Sequence, residues 1–200
     1  MRYEIPALVT ERLALRPIAL TDSDALQVQF SRWDVVKYLS AGMPWPFPSD
    51  GAHRLLRDVT LPAVARHEEW TWAITTKLNP VKLIGMISLK TNASENRGYW
   101  LGLEWQGRGL MSEACRAAAE YWFDVLGFDV LRESKAMINE PSRRVSEREG
   151  MRLVGVEDRN FVSGVLPAGI WEISADEWRA RQTGLNQLPA GCAGLCESVG

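Results

Sequence analysis

The hydrophobic period changes at one short turn, and that change constrains the fold more than any other feature. Residues 97–103, Arg-Gly-Tyr-Trp-Leu-Gly-Leu, carry a strand signal. After Gly107 and Gly109, Leu110, Ala114, Ala118, Tyr121 and Val125 recur at helical spacing, with Glu113, Arg116, Glu120 and Asp124 opposite them, until Gly127. A strand therefore hands over to a helix through two glycines. Such a turn exposes the first amides and the positive dipole end of the helix. Two familiar phosphate loops fail on their residues. The spacing Gly102 to Gly107 suits a P-loop, but Arg108 and Gly109 stand where Lys and a hydroxyl belong. A dinucleotide fingerprint needs a third glycine where Ser112 stands, within a parallel unit. What survives is a site able to cradle a pyrophosphate, or a tight turn and nothing more.

The flanking pattern is that of a layered α+β domain. Strand signals at residues 70–76, 83–91 and 97–103 follow one another as an antiparallel meander. A strand over residues 8–17 precedes them. Thr21 is expected to cap a helix carrying Ala25, Leu26 and Phe30, and a second short helix is expected over residues 34–40. The three prolines among Gly-Met-Pro-Trp-Pro-Phe-Pro, residues 42–48, enforce an extended loop. A helix over residues 49–66 should bend at Pro62. Further on, a strand at 131–138 leads into a helix at 141–149 stopped by Gly150, and strands at 152–161 and 165–173 follow. Residues 1–182 read as a single domain, with 183–200, rich in small residues, as a flexible tail.

Composition narrows the function classes. With 46% hydrophobic residues and 9 Trp in 200 residues, the chain can bury a substantial core. A formal charge of −2 offers no basic surface for nucleic acid. No apolar run approaches the ~18 residues of a membrane span, so a cytoplasmic protein is expected. Cys115, Cys192 and Cys196 form no disulfide framework, and neither they nor His53 and His67 have metal-ligand spacing. No metal is expected.

Gln106-x-x-Gly109-x-Met111 resembles the Gln/Arg-x-x-Gly-x-Gly/Ala signature by which GNAT-superfamily N-acetyltransferases hold the pyrophosphate of acetyl-CoA. The likeness continues through Thr10-Glu11-Arg12-Leu13-x-Leu15-Arg16-Pro17, Gly98-Tyr99-Trp100-Leu101, Ser112-Glu113-Ala114, Asn139-x-x-Ser142 and Glu149-Gly150-Met151. In this order the motifs resemble the RimJ/RimL branch, which acetylates protein N-termini. The resemblance implies a central mixed, mostly antiparallel sheet flanked by helices, acetyl-CoA as co-substrate and an amine as acceptor, in a monomer or homodimer. It implies coenzyme contacts by Leu101, Gly102, Leu103, Gln106, Gly107, Arg108, Gly109, Leu110, Met111, Ser112, Asn139 and Arg144. Arg143 is a further phosphate candidate. Met111 departs from the family's small residue.

The resemblance also sets expectations for chemistry. The strand over residues 100–103 should bulge, with Gly102 easing the distortion, so that a backbone amide meets the thioester carbonyl. Ser142, with Asn139, is the candidate acid for the departing thiolate. Trp33, Trp45, Phe47 and Tyr99 are candidate walls for the acceptor, joined by Tyr38, and Trp105 could lie along the pantetheine or shield the strand end. A Glu and a Tyr used by some relatives are replaced here by Ser134 and Ser146, so those roles do not transfer. Glu104 reads as a solvated loop residue and Glu113 as a dipole partner, which leaves no strong base. An α-amine, with a pKa of ~7.7–8.0, needs one less than a lysine near ~10.4 does. The reading that follows is an acetyltransferase for a protein N-terminal amine. The alternatives are a small-molecule amine acceptor and a non-catalytic acyl-CoA-binding module.

Overall fold

The computed structural model describes residues 5–92 and 94–186. Its first strand region is two strands, β1 (Leu8–Val9) and β2 (Leu13–Pro17), paired antiparallel. The single strand expected over residues 8–17 is broken by Thr10, whose hydroxyl accepts from the Leu13 amide at 3.0 Å and so closes a turn. Helix α1 (Ser23–Phe30) is started by Asp22 rather than Thr21. The Asp22 carboxylate accepts from the Ala19 amide at 2.9 Å and is gripped by two Arg16 nitrogens, at 2.6 and 2.8 Å. α2 (Trp33–Val36) is shorter than the helix expected over 34–40. α3 (Gly51–Arg54) and α4 (Leu61–Ala65) are joined by a widened turn, Leu55–Thr60. The bend expected at Pro62 is therefore absorbed in the turn ahead of it, where a ring without an N–H spoils the regular ladder.

Strands β3 (Glu69–Thr76), β4 (Gly85–Lys90) and β5 (Arg97–Leu101) complete a five-stranded antiparallel sheet in the order β1-β2-β3-β4-β5. Helix α5 (Leu110–Glu120) follows the glycine turn and runs into a second widened turn, Tyr121–Val125. β6 (Val130–Ala136), α6 (Glu140–Glu149), β7 (Arg152–Phe161) and β8 (Gly164–Ser174) come next, and the three strands form a separate antiparallel sheet in the order β6-β8-β7. The central sheet is thus two antiparallel sheets with β5 and β6 on their facing edges. The Asn96 amide donates to the Arg132 carbonyl at 2.7 Å, and Arg97 meets Glu133 one residue on. Both strands leave that joint in the same direction, and no ladder joins them beyond it among the described residues. A wedge opens between them.

Both faces of the larger sheet are covered. Leu15, Trp72, Ile74, Ile87 and Leu89 pack against Ala114, Ala118, Tyr121 and Trp122, while Ala73 and Trp100 pack against Leu26, Phe30, Val36 and Leu56. This explains why the inner positions of β3 are buried without alternation. A last helix, α7 (Ala175–Asn186), was not expected. Its signal is a capping box: the Ser174 amide donates to Glu177 at 2.9 Å and the Glu177 amide to the Ser174 hydroxyl at 3.2 Å. Trp178 then packs 5.5 Å from Phe123. Residues 183–186 of the expected tail belong to α7, and 187–200 lie outside the described residues. Among the described residues no helix is long and apolar enough to cross a membrane.

Candidate active site

The strand-to-helix turn is held from below by Arg12. Its guanidinium donates to the Arg108 carbonyl at 3.0 Å and to Glu113 at 2.7 Å, and its amide donates to the same carboxylate at 2.8 Å. Burial alone would raise the Glu113 pKa, but hydrogen bonds from Thr10 and Arg12 outweigh it and hold the carboxyl below its usual range. Glu113 is therefore a fastening of the turn, not a base. Glu104 is exposed and paired to Arg32. Gly107 and Gly109 take φ of 72° and 74°, the left-handed region that only glycine enters without strain. A Cβ at Gly107 would meet nothing within 4 Å, and one at Gly109 only an Arg12 nitrogen at 3.6 Å. The space above the glycines is open, and Gly109 has no side chain to cap the amides of Leu110, Met111 and Ser112. A diphosphate fits such a cradle.

The cradle opens into a cleft of about 1970 Å³ that follows the wedge between β5 and β6. Leu101, Leu103, Gln106, Gly107, Gly109, Leu110, Met111, Ser112, Asn139, Ser142 and Arg144 all line it, as do Tyr99, Phe47, Tyr38 and Trp105. Gly102 and Arg108 do not line it: Gly102 sits against Gln29, and Arg108 lies 5.5 Å from the Trp105 ring. Gln106 spends its side-chain amide on the Leu101 carbonyl, at 2.9 Å, and so locks the strand end. Arg144 pairs with Glu140 on the rim. Arg143 is not among the cleft residues. Trp33 and Trp45 also fall outside the cleft; they pack on each other at 5.2 Å, both partly exposed. Phe47 instead meets Phe30 edge-on at 5.4 Å, and Phe30 meets Trp100 at 5.1 Å, so this side of the cleft has an aromatic wall.

The expected bulge is absent. Pairing of β5 with β4 runs unbroken from Arg97 to Leu101, and the Gly102 amide continues it onto the Ile84 carbonyl at 2.9 Å. The alternation then turns the amides of Tyr99 and Leu101 away from β4, into the wedge. An amide facing the cleft is obtained by the opening of the sheet, without distortion of the strand.

Across the wedge, Asn139 caps α6 by accepting from the Ser142 amide at 3.4 Å. That places Ser142 in the first turn with its hydroxyl 3.2 Å from the Tyr99 hydroxyl. Tyr99 is thus a partner of Ser142 as well as a wall. Burial, and then the charge of Glu133, push the Tyr99 phenol well above its usual pKa.

Behind this pair lies a buried ionic network absent from the sequence reading. Arg97, fully buried, donates to Glu133 at 2.8 Å and to both oxygens of Glu149. Lys135 reaches Glu133 at 3.1 Å and stands 3.9 Å over the Tyr99 ring. Ser146 donates its buried hydroxyl to Glu133. Burial would raise the Glu133 pKa, yet the charges of Arg97 and Lys135, with hydrogen bonds from Arg97 and Ser146, hold it at about 2. Ser134 faces elsewhere, 2.8 Å from Glu95. Cys115, buried against Arg97, has its thiol pushed up by desolvation and is inert. His53 and His67 are exposed, no metal-binding group of His, Cys, Asp and Glu occurs among the described residues, and Cys192 and Cys196 lie outside them.

Residues 12–152 match the family model described as Acetyltransferase (GNAT) domain. A curated protein of Bacillus subtilis (strain 168) named "Putative ribosomal N-acetyltransferase YdaF" is 38% identical over 88 residues, 42% of this chain and 48% of that protein. The match thus spans about half the length of that relative. Among solved structures, Mycobacterium smegmatis RimJ in complex with CoA-disulfide superposes with a TM-score of 0.75 at 19% identity, covering 92% of this chain and 96% of that one. The ribosomal-protein-S5-alanine acetyltransferase of Vibrio fischeri gives 0.72 at 18% identity, covering 86% and 98%. These two share the fold. With the family model matched over the turn, the cleft and α6, this chain belongs to the GNAT acetyltransferases.

Proposed function

We propose that this chain transfers the acetyl group of acetyl-CoA to the α-amine of a protein N-terminus. The observation that carries the reading is the continuity of one cleft from the uncapped amides after Gly109 to the Tyr99–Ser142 pair. The residues of the cradle would hold the diphosphate, and bound acetyl-CoA supplies the activated acyl group as its thioester. The cleft-facing amides of Tyr99 and Leu101 would receive a developing oxyanion. Ser142, held by Tyr99 at its carbonyl and its hydroxyl, serves as acid toward the sulfur. The named relatives, a ribosomal N-acetyltransferase and an S5-alanine acetyltransferase, support a protein N-terminus as acceptor. An α-amine is also the less demanding acceptor, since roughly a tenth of it is neutral at pH 7.

The test pairs calorimetry with acetyl-CoA and thiol release with two peptides, one with a free N-terminal Ala or Ser, the other blocked and carrying an internal Lys. Saturable binding and preference for the free N-terminus are expected. Equal or faster acetylation of the Lys peptide would overturn the acceptor assignment, and absence of binding the coenzyme assignment.

A further inference from the structure

An ammonium group must lose a proton before it can attack, and the residues so far placed in the cleft provide a donor but no acceptor for that proton. Six carboxylates line the cleft: Asp34, Asp58, Glu69, Glu95, Glu140 and Asp158. Asp34 pairs with Lys37 at 2.7 Å, Asp58 takes both Arg57 nitrogens, and Glu140 pairs with Arg144 on the rim. Glu69 accepts from the Thr71 hydroxyl at the β3 edge, with Lys90 at 3.8 Å. Asp158 belongs to β7, the outer strand of the small sheet, two strands from the wedge.

Glu95 differs in position. It belongs to the segment joining β4 to β5, one residue before the joint at which Asn96 meets Arg132. Its carboxylate accepts from the Ser134 hydroxyl on β6 at 2.8 Å. The group therefore bridges the two diverging edges, with 39% of its side chain exposed to the cleft. Ser134 lies between Glu133 and Lys135 on β6, so its side chain emerges on the opposite face from the ionic network and Tyr99. Donor and acceptor of protons then stand on opposite faces of one wedge. This is the arrangement that lets an incoming amine lose its proton on one side while the leaving sulfur gains one on the other. The charged groups around Glu95 are Arg159 of β7, whose nitrogens lie 3.6 Å from Glu95, 3.4 Å from Ser134 and 2.7 Å from Glu157, together with Lys90, Glu69 and Asp158 along the same cleft.

We infer that Glu95, steadied by Ser134, is the proton acceptor for the attacking amine. The inference rests on the acetyltransfer reading above. Of the three protons of the ammonium, one passes to Glu95, directly or through a water, and from there to solvent. The nitrogen then bonds to the acyl carbon as the carbon–sulfur bond breaks. A second proton leaves with the sulfur as thiol by way of Ser142, and the third stays on the amide.

Glu95→Gln keeps a hydrogen-bonding oxygen for Ser134 and removes the basicity. It should lower kcat about 10²-fold at pH 7, leave the heat of coenzyme binding unchanged, and lose most of that defect by pH 9, where an α-amine with a pKa of ~7.7–8.0 is already neutral. Glu95→Asp should retain part of the activity. Ser134→Ala, which leaves the carboxylate in place but unsteadied, should cost less and show the same narrowing with pH. A full rate at pH 7 in Glu95→Gln, or a loss in both variants that is constant across pH, overturns the inference. The comparison is run on whichever amine the wild type turns over. Failure to acetylate a free N-terminus then counts against the proposed acceptor, and a pH-independent Glu95→Gln defect counts against Glu95.

Discussion

The Tyr99 hydroxyl holds Ser142 in place from across the wedge. Burial keeps the Tyr99 phenol protonated, so it remains a donor to the Ser142 carbonyl, at 3.3 Å, through the working pH range, with the Ser142 hydroxyl 3.2 Å away. Ser142→Ala should therefore reduce turnover about 10²-fold with coenzyme affinity intact, and Tyr99→Phe should reduce it less. Thiol-release profiles between pH 6 and 9 should lack any added ionisation from Tyr99. At the turn, Gly109→Ala should cost about 1–2 kcal/mol in urea unfolding, from its φ of 74° alone, because the nearest atom to a new Cβ is 3.6 Å away. Gly107 and Gly109 were legible in the sequence because a positive φ leaves its mark on one residue type. Ser142 was legible through its motif. The pairing with Tyr99 was not, since it joins residues 43 positions apart that only the wedge brings together.

At the scale of elements, β5, β6 and α6 are fastened by Arg97, Glu133, Lys135 and Glu149, two charges of each sign almost wholly withdrawn from water. Their pairing leaves no mark in the sequence, because a charge gives no local sign of its partner. The same pairing explains why Ser146 stands in α6: a buried hydroxyl is required to complete Glu133. Glu133→Gln leaves Arg97 and Lys135 short of an anion and should destabilise by about 3–5 kcal/mol, read from denaturant midpoints. The folded-state pKa of Glu133, about 2, lies below its unfolded value. Its contribution is thus complete above the ordinary carboxylate range of ~4.3 and is lost as pH falls from there through 2. Wild-type stability should fall more steeply over that interval than that of Glu133→Gln, and equal slopes would remove Glu133 from the account of acid stability.

For the whole molecule, the decisive fact is that two antiparallel sheets touch at one end and part at the other. The strands themselves were visible as the runs 70–76, 83–91 and 97–103 separated by turn residues. The division into two sheets was not, because it depends on β8 inserting between β6 and β7, a pairing that local pattern does not encode. Asn96 is the pin of the joint. Its side-chain oxygen accepts from the Arg132 amide at 2.8 Å, and its nitrogen donates to Asn92 and Lys90 at 2.8 and 3.3 Å. Asn96→Ala removes all three bonds and leaves the Arg132 amide without this acceptor, which should cost about 2–4 kcal/mol at roughly 1 per bond and more for the orphaned donor. The functional effect should be uneven. Glu95 is next to the pin and Ser134 depends on it, so turnover should fall several-fold. The cradle after Gly109 is at the open end and fastened independently by Arg12, so coenzyme affinity should hold. Calorimetry and turnover measured on the same folded preparation separate the two ends, and a matched fall in both would mean that the wedge opens and closes as one rigid piece.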